Sequence, residues 1–409
     1  MYKLFCRTFQ KGFWVGSGVL PWRRPIRLSS YDGLTNVLHE KGCTSLLVVT
    51  DKGLVQAGMH RKLLDKLRSE RVKVTVFDKT TQNPTIDNIE EALSLYESEK
   101  CSAIIALGGG SAMDCAKGVG ARVARPKKKI QQMRGLFKVL LPMPLFFAIP
   151  TTAGSGSETT VAAVITDSRT KEKYAINDTA LIPHYVLFLP ELTVGLPPFF
   201  TATTGMDALC HAVEAYIGNS NTKQTKVDAI RAVQLIFESL LDAYKNGKNI
   251  KARANMQTAA FLAGAAFTRA YVGNIHAISH ALSGQYGTPH GFANAVIMPY
   301  VLEVYGESAH KPLWELAYAV GLADDTTPTN EGAKRFIAAI WEMNAKMGIP
   351  KKIEGIKRAD IPILAKRALK EANPLYPVPV IFSQADMMVV MLKVMDTGRE
   401  TVPNGGKKK

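Results

Sequence analysis

Residues 101–117, CSAIIALGGGSAMDCAK, are the segment that most clearly indicates the fold class. It begins with an uninterrupted apolar run, which is typical of a β-strand that is buried on both faces of a sheet. Three glycines and a serine follow, and a segment with helical periodicity begins directly after them. A strand that passes through a glycine turn into a helix is the repeating unit of α/β proteins with parallel sheets.

The flanking sequence continues this alternation of strand and helix. TSLLVVTD (44–51), VKVTVFD (72–78) and LFFAIP (145–150) predict three more strands, because each is a short and almost continuous apolar run. IDNIEEALSLYESEK (86–100) predicts a helix between two of these strands. The first half of the chain is therefore predicted to be a Rossmann-like parallel sheet that is covered by helices on both faces.

The second half of the chain has a different character. Beyond Pro197 and Pro198 the strand patterns almost vanish, and long segments rich in alanine and leucine show a period of about 3.6 residues. We therefore predict an α/β domain over residues 1–194 and an all-helical domain over residues 195–409.

The N-terminal segment and the cysteines bear on the compartment. FWVGSGVLPW (13–22) is short, is interrupted by glycine and precedes two arginines, so we interpret it as a strand pair rather than as a signal peptide. No apolar run reaches the roughly 18 residues that a membrane helix needs. The five cysteines are scattered and form no CxxC pair, which favours a reducing compartment and predicts a cytoplasmic protein.

The net charge of +16 is concentrated in two places. Residues 122–138 contain seven basic side chains and no acidic one, and the tail GGKKK (405–409) adds three more. We interpret both as solvated segments, and attraction of an anionic cofactor or substrate is the alternative. Because no aromatic residues are interleaved with the charges, we expect no nucleic-acid partner, and we expect no membrane partner either.

Two loops that suit a phosphate group follow neighbouring strands. Glycines at 108–110 allow close backbone approach, and the free N–H groups at the start of the next helix attract an anion. The fingerprint GxGxxG is incomplete because Met113 holds its last position, and a purely structural turn is the alternative for this loop alone. PTTAGSGSE (150–158) adds hydroxyl groups at the same sheet edge, so that the two loops together favour a ligand site.

Asp51 ends the strand TSLLVVTD and has two interpretations. A carboxylate at a strand end binds a ribose 2′-hydroxyl and repels a 2′-phosphate, which would select NAD. The same carboxylate is also a suitable N-cap for a following helix. The spacing alone does not distinguish these two roles.

Histidines cluster in the second half in a pattern that suits a metal ion. Asp207 and His211 lie four residues apart on a predicted helix, as do His276 and His280, and His290 follows in the loop TPHG. One carboxylate with several imidazoles suits a divalent first-row metal, with Fe²⁺ and Zn²⁺ as the leading choices. The HExxH pattern of zinc proteases is missing. The cysteine before His211 is an alternative soft ligand, although a small buried residue explains it equally well.

These motifs resemble the iron-dependent, group III alcohol dehydrogenases, which include lactaldehyde reductases and butanol dehydrogenases. GGGSAMDCAK, PTTAGSGSE, GMDALCHAVEAY and HAISHALSGQYGTPHGFANAVIMP occur in the order and spacing of that family. The resemblance implies a dehydroquinate synthase-like architecture, in which the α/β domain (1–194) binds the dinucleotide, the all-helical domain (195–409) binds the metal, and the active site lies in the cleft between them. It also implies a metal-dependent, NAD-linked alcohol dehydrogenase or aldehyde reductase that acts on a small primary alcohol or aldehyde and forms a homodimer or larger homo-oligomer.

The resemblance also assigns roles to individual residues. It implies that Asp207, His211, His276 and His290 are the ligands of Fe²⁺, with Zn²⁺ as the alternative metal, and that His280 is a catalytic residue that transfers protons. It implies that Asp51 favours NAD over NADP. The residues that match other cofactor contacts of the family are Gly109, Gly110, Ser111, Thr151, Thr152 and Lys173.

The sequence departs from the family's pattern in places that bear on the substrate. Arg269 and Asn274 precede His276 where many members have smaller and more apolar residues, and Ala162 and Ala163 replace bulkier or polar residues of some diol reductases. The resemblance therefore implies the chemistry without naming the alcohol. The alternatives are a related polyol dehydrogenase or dehydroquinate synthase-type metalloenzyme, and a non-catalytic assembly subunit that retains the fold.

Overall fold

The chain folds into parallel β-structure followed by helices, in a computed structural model that describes residues 1–18, 20, 22–170 and 172–397. The strands in these ranges are β1 (Ile26–Leu28), β2 (Ser45–Val49), β3 (Lys73–Phe77), β4 (Ala103–Gly108), β5 (Gly135–Leu136), β6 (Leu145–Pro150), β7 (Ala162–Thr166), β8 (Lys173–Asn177) and β9 (Tyr185–Leu187).

The α-helices alternate with these strands at first and then follow one another without interruption. They are α1 (Tyr2–Ser17), α2 (Tyr31–Glu40), α3 (Lys52–Gln56), α4 (Arg61–Ser69), α5 (Ile86–Ser98), α6 (Gly110–Ala124), α7 (Pro198–Ile217), α8 (Lys223–Lys245), α9 (Ile250–Ala270), α10 (Asn274–Tyr286), α11 (His290–Tyr305), α12 (Glu307–Ala319), α13 (Thr329–Lys346), α14 (Ile361–Ala372) and α15 (Gln384–Val394).

Six of the strands form one parallel sheet in the order β1–β9–β6–β4–β2–β3. Val49 is paired with Ala106, and Gly108 is paired with Pro150. Because parallel strands end at the same edge of a sheet, the turns after β2, β4 and β6 lie side by side. Strands β5, β8 and β7 form a second, smaller sheet in that order.

The two faces of the large sheet are covered by different helices. Leu47 and Val49 pack into the core that includes α5 and α6, whereas Leu46 and Val48 pack into the core of α2 and α4. The strand side chains alternate between the faces, and both faces are buried, which explains why these strands read as continuous apolar runs. The predicted strands β2, β3, β4 and β6 and the predicted helices α5 and α6 are confirmed.

From Pro198 onward the regular elements of the described residues are helices. The predicted fold class, an α/β part followed by an all-helical part, is confirmed. The large sheet ends with β9 and the first long helix begins at Pro198. The domain boundary between residues 194 and 195 stays a prediction. None of the described helices is long and apolar enough to cross a membrane.

The prediction of a strand pair at residues 13–22 is wrong, because α1 continues to Ser17 and covers the first half of this segment. Cys6 and Gln10 lie one turn apart and are buried against the rest of the protein. The side chain of Gln10 donates to the carbonyl of Tyr376, and Arg7 donates to the carbonyls of Val378 and Pro379. These distant contacts favour a helix in a segment whose local pattern is ambiguous. Val19 and Pro21 lie outside the described residues.

The basic segment 122–138 is more structured than a solvated loop. Arg122 forms a salt bridge with Glu90 at 2.7 Å, and Arg134 forms one with Glu172 at 2.6 Å. Two of its seven positive charges therefore have acidic partners within the fold. The basic tail at 405–409 lies outside the described residues.

Candidate active site

Four predicted ligand residues converge from three helices. Asp207 and His211 lie one turn apart on α7, His276 lies on α10, and His290 is the first residue of α11. One ligand atom from each of the four lies within 4.8 Å of the others. Oδ1 of Asp207 lies 3.5 Å from Nε2 of His290 and 4.0 Å from Nε2 of His276. These four side chains could hold one metal ion, as the sequence predicts, and their role as ligands stays a prediction.

The three histidines of this cluster are electrically neutral. Burial lowers the pKa of His290 to about 3, and it lowers the pKa of His211 and, more strongly, of His276. A neutral imidazole offers a lone pair on one ring nitrogen, which is the form that binds a metal ion. The cluster therefore combines three neutral donors with the carboxylate of Asp207.

The amide of Asn294 shows that the cluster fits a cation. Its Nδ2 atom lies 2.7 Å from Oδ1 of Asp207 and 3.1 Å from Nε2 of both His276 and His290. An amide NH₂ has two hydrogens, so it cannot serve three acceptors at once. More lone pairs point into this small volume than the protein's own donors satisfy, which suits a divalent ion.

Glu214 fixes the orientation of His276. Its Oε2 atom lies 2.6 Å from Nδ1 of His276 and accepts from the N–H of Gly273, and its Oε1 accepts from the N–H of Ile275. A carboxylate with these donors holds the proton of His276 on Nδ1 and leaves the Nε2 lone pair facing Asp207. Glu214 is therefore a residue of the site that the sequence reasoning missed.

Cys210 lies beside this pair rather than among the four predicted ligands. Its Sγ atom lies 3.8 Å from Nδ1 of His276, and together with Glu214 the two residues form a second group of close polar atoms. Burial raises the pKa of the Cys210 thiol well above its usual value, so the sulfur stays protonated. The interpretation of Cys210 as a small buried residue fits better than that of a ligand.

His280 lies next to the cluster and is open to solvent. Its ring stacks on that of His290 with the centroids 4.9 Å apart, and its side chain is 43% exposed. Nδ1 of His280 lies 2.5 Å from Oε1 of Glu371. Burial lowers the pKa of His280, but the neighbouring carboxylate of Glu371 outweighs burial and raises it. A histidine in this position can exchange protons between the site and water.

The two glycine-rich loops meet at the edge of the sheet. The N–H of Thr151 donates to the carbonyl of Gly108 at 3.1 Å. A Cβ atom on Gly109 would lie 3.3 Å from Oγ1 of Thr152, and one on Gly110 would lie 3.2 Å from Oγ of Ser155. A Cβ atom at either position would therefore be a tight contact, so glycine favours this close approach of the two loops. The first turn of α6 has no side-chain cap, so its N–H groups remain available to an anion.

Asp51 is an N-cap, and it also lies beside the first glycine loop. Its Oδ1 accepts from the N–H of Leu54 at 3.0 Å, which confirms the capping interpretation. Its Oδ2 lies 4.0 Å from the position that a Cβ atom on Gly108 would occupy. The second oxygen is therefore close to the loop, and its role in selecting NAD stays a prediction.

Lys173 and Ser111 lie near each other through a shared neighbour. Nζ of Lys173 donates to Oδ1 of Asn83 at 2.8 Å, and the N–H of Asn83 donates to Oγ of Ser111 at 3.4 Å. β8 thus brings a cation to the glycine loop, as expected for a site that binds phosphates. The remaining predicted cofactor residues lie on the two loops described above.

Glu214, Asn294 and Glu371 were not identified from the sequence. Glu214 follows His211 by three residues on one helix, so helical spacing could have indicated it. Glu371 is 91 residues from His280, and no local pattern connects the two.

Comparison with known proteins places this geometry in a family. Residues 28–190 match the family described as iron-containing alcohol dehydrogenase, and residues 201–395 match the C-terminal part of the Fe-containing alcohol dehydrogenase family. The chain is 39% identical over 336 residues to 1,3-propanediol dehydrogenase from Citrobacter freundii, which covers 81% of this chain and 87% of the relative.

Two solved structures are also similar. A 1,3-propanediol oxidoreductase is 33% identical with a TM-score of 0.88, and the match covers 92% of this chain and 100% of the other. A sulfoacetaldehyde reductase from Bifidobacterium kashiwanohense, solved with NAD⁺, is 25% identical with a TM-score of 0.82 and covers 93% of this chain and 99% of the other. The similarity extends over both the sheet and the helices.

Proposed function

The chain belongs to the iron-containing alcohol dehydrogenase family, and we propose that its metal ligands are Asp207, His211, His276 and His290. It is an NAD-linked oxidoreductase that acts on small alcohols and aldehydes. The observation that carries this proposal is the meeting of three neutral imidazoles and one carboxylate within 4.8 Å. Three such donors with a carboxylate leave the ion a net positive charge.

The cofactors supply the central chemistry, and the protein supplies position and proton transfer. A bound Fe²⁺ would act as a Lewis acid toward an alcohol or a carbonyl oxygen, and bound NAD would exchange the hydride. Asp207 and the three histidines fix the place of the reacting oxygen, and Glu214 fixes His276. His280 accepts the proton that alcohol oxidation releases and passes it to water, and it returns a proton during aldehyde reduction.

We propose that the nucleotide lies against the two glycine-rich loops. Gly109, Gly110 and Ser111 would bind the pyrophosphate at the start of α6, where free N–H groups and the helix dipole favour an anion. Thr151 and Thr152 face this loop from the end of β6, and Lys173 adds a positive charge. Asp51 would accept hydrogen bonds from a ribose and repel the 2′-phosphate of NADP.

The test is NADH oxidation by protein that is purified anaerobically with Fe²⁺, over a panel of small aldehydes, with NADPH measured in parallel. We expect turnover with NADH that a chelator abolishes and that added Fe²⁺ restores. Absence of turnover despite stoichiometric bound metal would overturn the proposal and favour a different substrate class or the non-catalytic alternative.

The Asp51→Asn variant tests cofactor choice within the same assay. Asparagine is as good an N-cap as aspartate, so α3 keeps its start, but the negative charge is removed. We expect the preference for NADH over NADPH to fall by about tenfold or more, because like charges at a contact cost several kcal/mol. An unchanged preference would assign Asp51 to helix capping alone.

We make three further proposals, on the position of the active site, the cellular compartment and the oligomeric state. We propose that the active site lies in the cleft between residues 1–194 and residues 195–409, since the loop at 150–158 packs on α7, the helix that carries Asp207 and His211. Five free cysteines support the proposal of a cytoplasmic protein. We also propose a homodimer or larger assembly, as the family resemblance implies, which light scattering of the purified protein would test.

A further inference from the structure

The hydrogen bond between His280 and Glu371 has a directional consequence. Glu371 lies on α14, and its Oε1 is 2.5 Å from Nδ1 of His280. An ionised carboxylate only accepts hydrogen bonds, so the single proton of a neutral His280 must lie on Nδ1. The Nε2 atom is then left with its lone pair, and it points to the other side of the ring, away from Glu371. This is the tautomer that can take a proton from a substrate.

Glu371 is itself held in place by Tyr376. The hydroxyl group of Tyr376 donates to the same Oε1 atom at 2.9 Å. Burial raises the pKa of Tyr376 well above its usual value, so this hydroxyl keeps its proton and remains a donor. Two donors on one carboxylate oxygen favour the ionised form of Glu371 and fix its direction.

The segment that carries Tyr376 is fastened by α1. Gln10 donates to the carbonyl of Tyr376 at 2.8 Å, and Arg7 donates to the carbonyls of Val378 and Pro379 at 2.6 and 2.7 Å. A chain of direct contacts thus leads from α1 through Tyr376 and Glu371 to His280. Each member restrains the next one, which limits the rotation of the imidazole.

We propose that Glu371 is the positioning residue of His280, which it holds in the Nδ1–H tautomer with the Nε2 lone pair directed away from Glu371. This inference rests on the proposed function, in which His280 transfers protons. In alcohol oxidation the substrate proton passes to the Nε2 lone pair that this tautomer leaves free, and Nε2 then gives the proton to water. One proton enters and one leaves, and no electrons move. The role matches that of the carboxylate in a Ser-His-Asp triad.

The first test compares Glu371→Ala with wild type and with His280→Ala in steady-state kinetics. General acid–base catalysis contributes about 10²- to 10⁴-fold, so we expect Glu371→Ala to lower kcat by about ten- to a hundredfold with little change in KM for the aldehyde. Tyr376→Phe removes one donor to the carboxylate and should have a smaller effect in the same direction.

The double variant separates positioning from a general structural role. If Glu371 acts only through His280, then Glu371→Ala lowers kcat in the wild-type background and adds no further loss to His280→Ala. A further loss of the same size in the double variant would overturn the proposal, because Glu371 would then act independently of the histidine.

The second test does not depend on turnover. Nitrogen NMR of metal-free protein with ¹⁵N-labelled histidine reports the tautomer of His280, and comparison with His280→Asn assigns its signals. At a pH above the pKa of His280, where its ring is neutral, we expect the Nδ1–H tautomer in wild type and a shift toward the Nε2–H tautomer in Glu371→Ala. An identical tautomer in both proteins would overturn the proposal. Failure of the enzyme assay with wild type would count against the proposed function and leave this NMR comparison interpretable.

Discussion

Glu214 is a buried carboxylate that orients His276, one of the proposed metal ligands. Its two oxygens accept from the N–H groups of Gly273 and Ile275 and face Nδ1 of His276 at 2.6 Å. All these partners are donors, so the site requires a group that only accepts. The residue that precedes α10, the second residue of α10 and the imidazole are thereby oriented together. A carboxylate behind a metal-bound histidine also increases the basicity of the ring.

Glu214→Gln should weaken metal binding. The amide NH₂ of glutamine would face at least one donor that the carboxylate accepts at present. We expect metal affinity to fall by about ten- to a hundredfold, measured by competition with a chromogenic chelator.

The matched control for this prediction is Glu315→Gln. Glu315 also accepts a hydrogen bond from α7, through the hydroxyl of Tyr216 at 2.7 Å, but it contacts none of the four proposed ligands. Its substitution should leave metal affinity unchanged. Equal losses in both variants would show that the effect of Glu214 is structural only.

At the scale of elements, the long buried strands were predictable and the short elements were not. β2, β4 and β6 are buried on both faces, so composition alone marks them. β5 has two residues and β9 has three, and their pairing with neighbouring strands defines them rather than their own sequences. α1 was missed because its decisive contacts are with residues 376–379, more than 360 positions away.

The same distinction applies to the site. His276, His280 and Asp207–His211 lie at helical spacings, so the sequence alone indicated which residues share a helix face. The partners that orient them are either buried acids without a distinctive pattern, such as Glu214, or residues on another helix, such as Glu371. The contacts that these orienting acids make depend on how the helices pack against one another. Local periodicity does not encode that packing.

Arg7→Ala should loosen α1 from the body of the protein. The guanidinium of Arg7 makes two hydrogen bonds to backbone carbonyls of the segment 378–379. Hydrogen bonds of charged groups contribute about 1.5–3 kcal/mol, so we expect the free energy of unfolding to fall by about 2 kcal/mol, measured by denaturant titration. Lys11→Ala, on the exposed side of the same helix, should change it by less than about 0.5 kcal/mol. Equal stability of both variants would contradict the proposed attachment.

At the scale of the whole molecule, the second glycine-rich loop connects the sheet to the helices. Gly156 has φ +61°, and a Cβ atom there would lie 2.6 Å from Cα of Gly264 on α9. A Cβ atom on Gly154 would lie 2.6 Å from Cβ of Thr204 on α7. The loop therefore packs directly on helices α7 and α9. We therefore predict that this backbone contact couples the geometry of the proposed nucleotide loops to that of the proposed metal ligands on α7.

Gly264→Ala should disturb both sites at once. The new methyl group would lie 2.3 Å from Oγ1 of Thr159 and 2.8 Å from the carbonyl oxygen of Gly156, so the loop must move. We expect a loss of stability of about 1–3 kcal/mol and weaker binding of NADH, measured by fluorescence titration. Gly284→Ala on α10 has no atom within 4 Å of the new methyl group and should be neutral or slightly stabilising. Unchanged NADH affinity in Gly264→Ala would contradict the coupling.

The proposed metal site is tested by measuring iron content and NADH turnover on the same protein preparations. The measurement compares wild type with Asp207→Ala, His211→Ala, His276→Ala and His290→Ala, all prepared anaerobically with Fe²⁺ and checked for folding by circular dichroism. We expect one iron per chain and chelator-sensitive turnover in wild type, and loss of both in each folded variant. Folded variants that keep stoichiometric iron and wild-type turnover would contradict it.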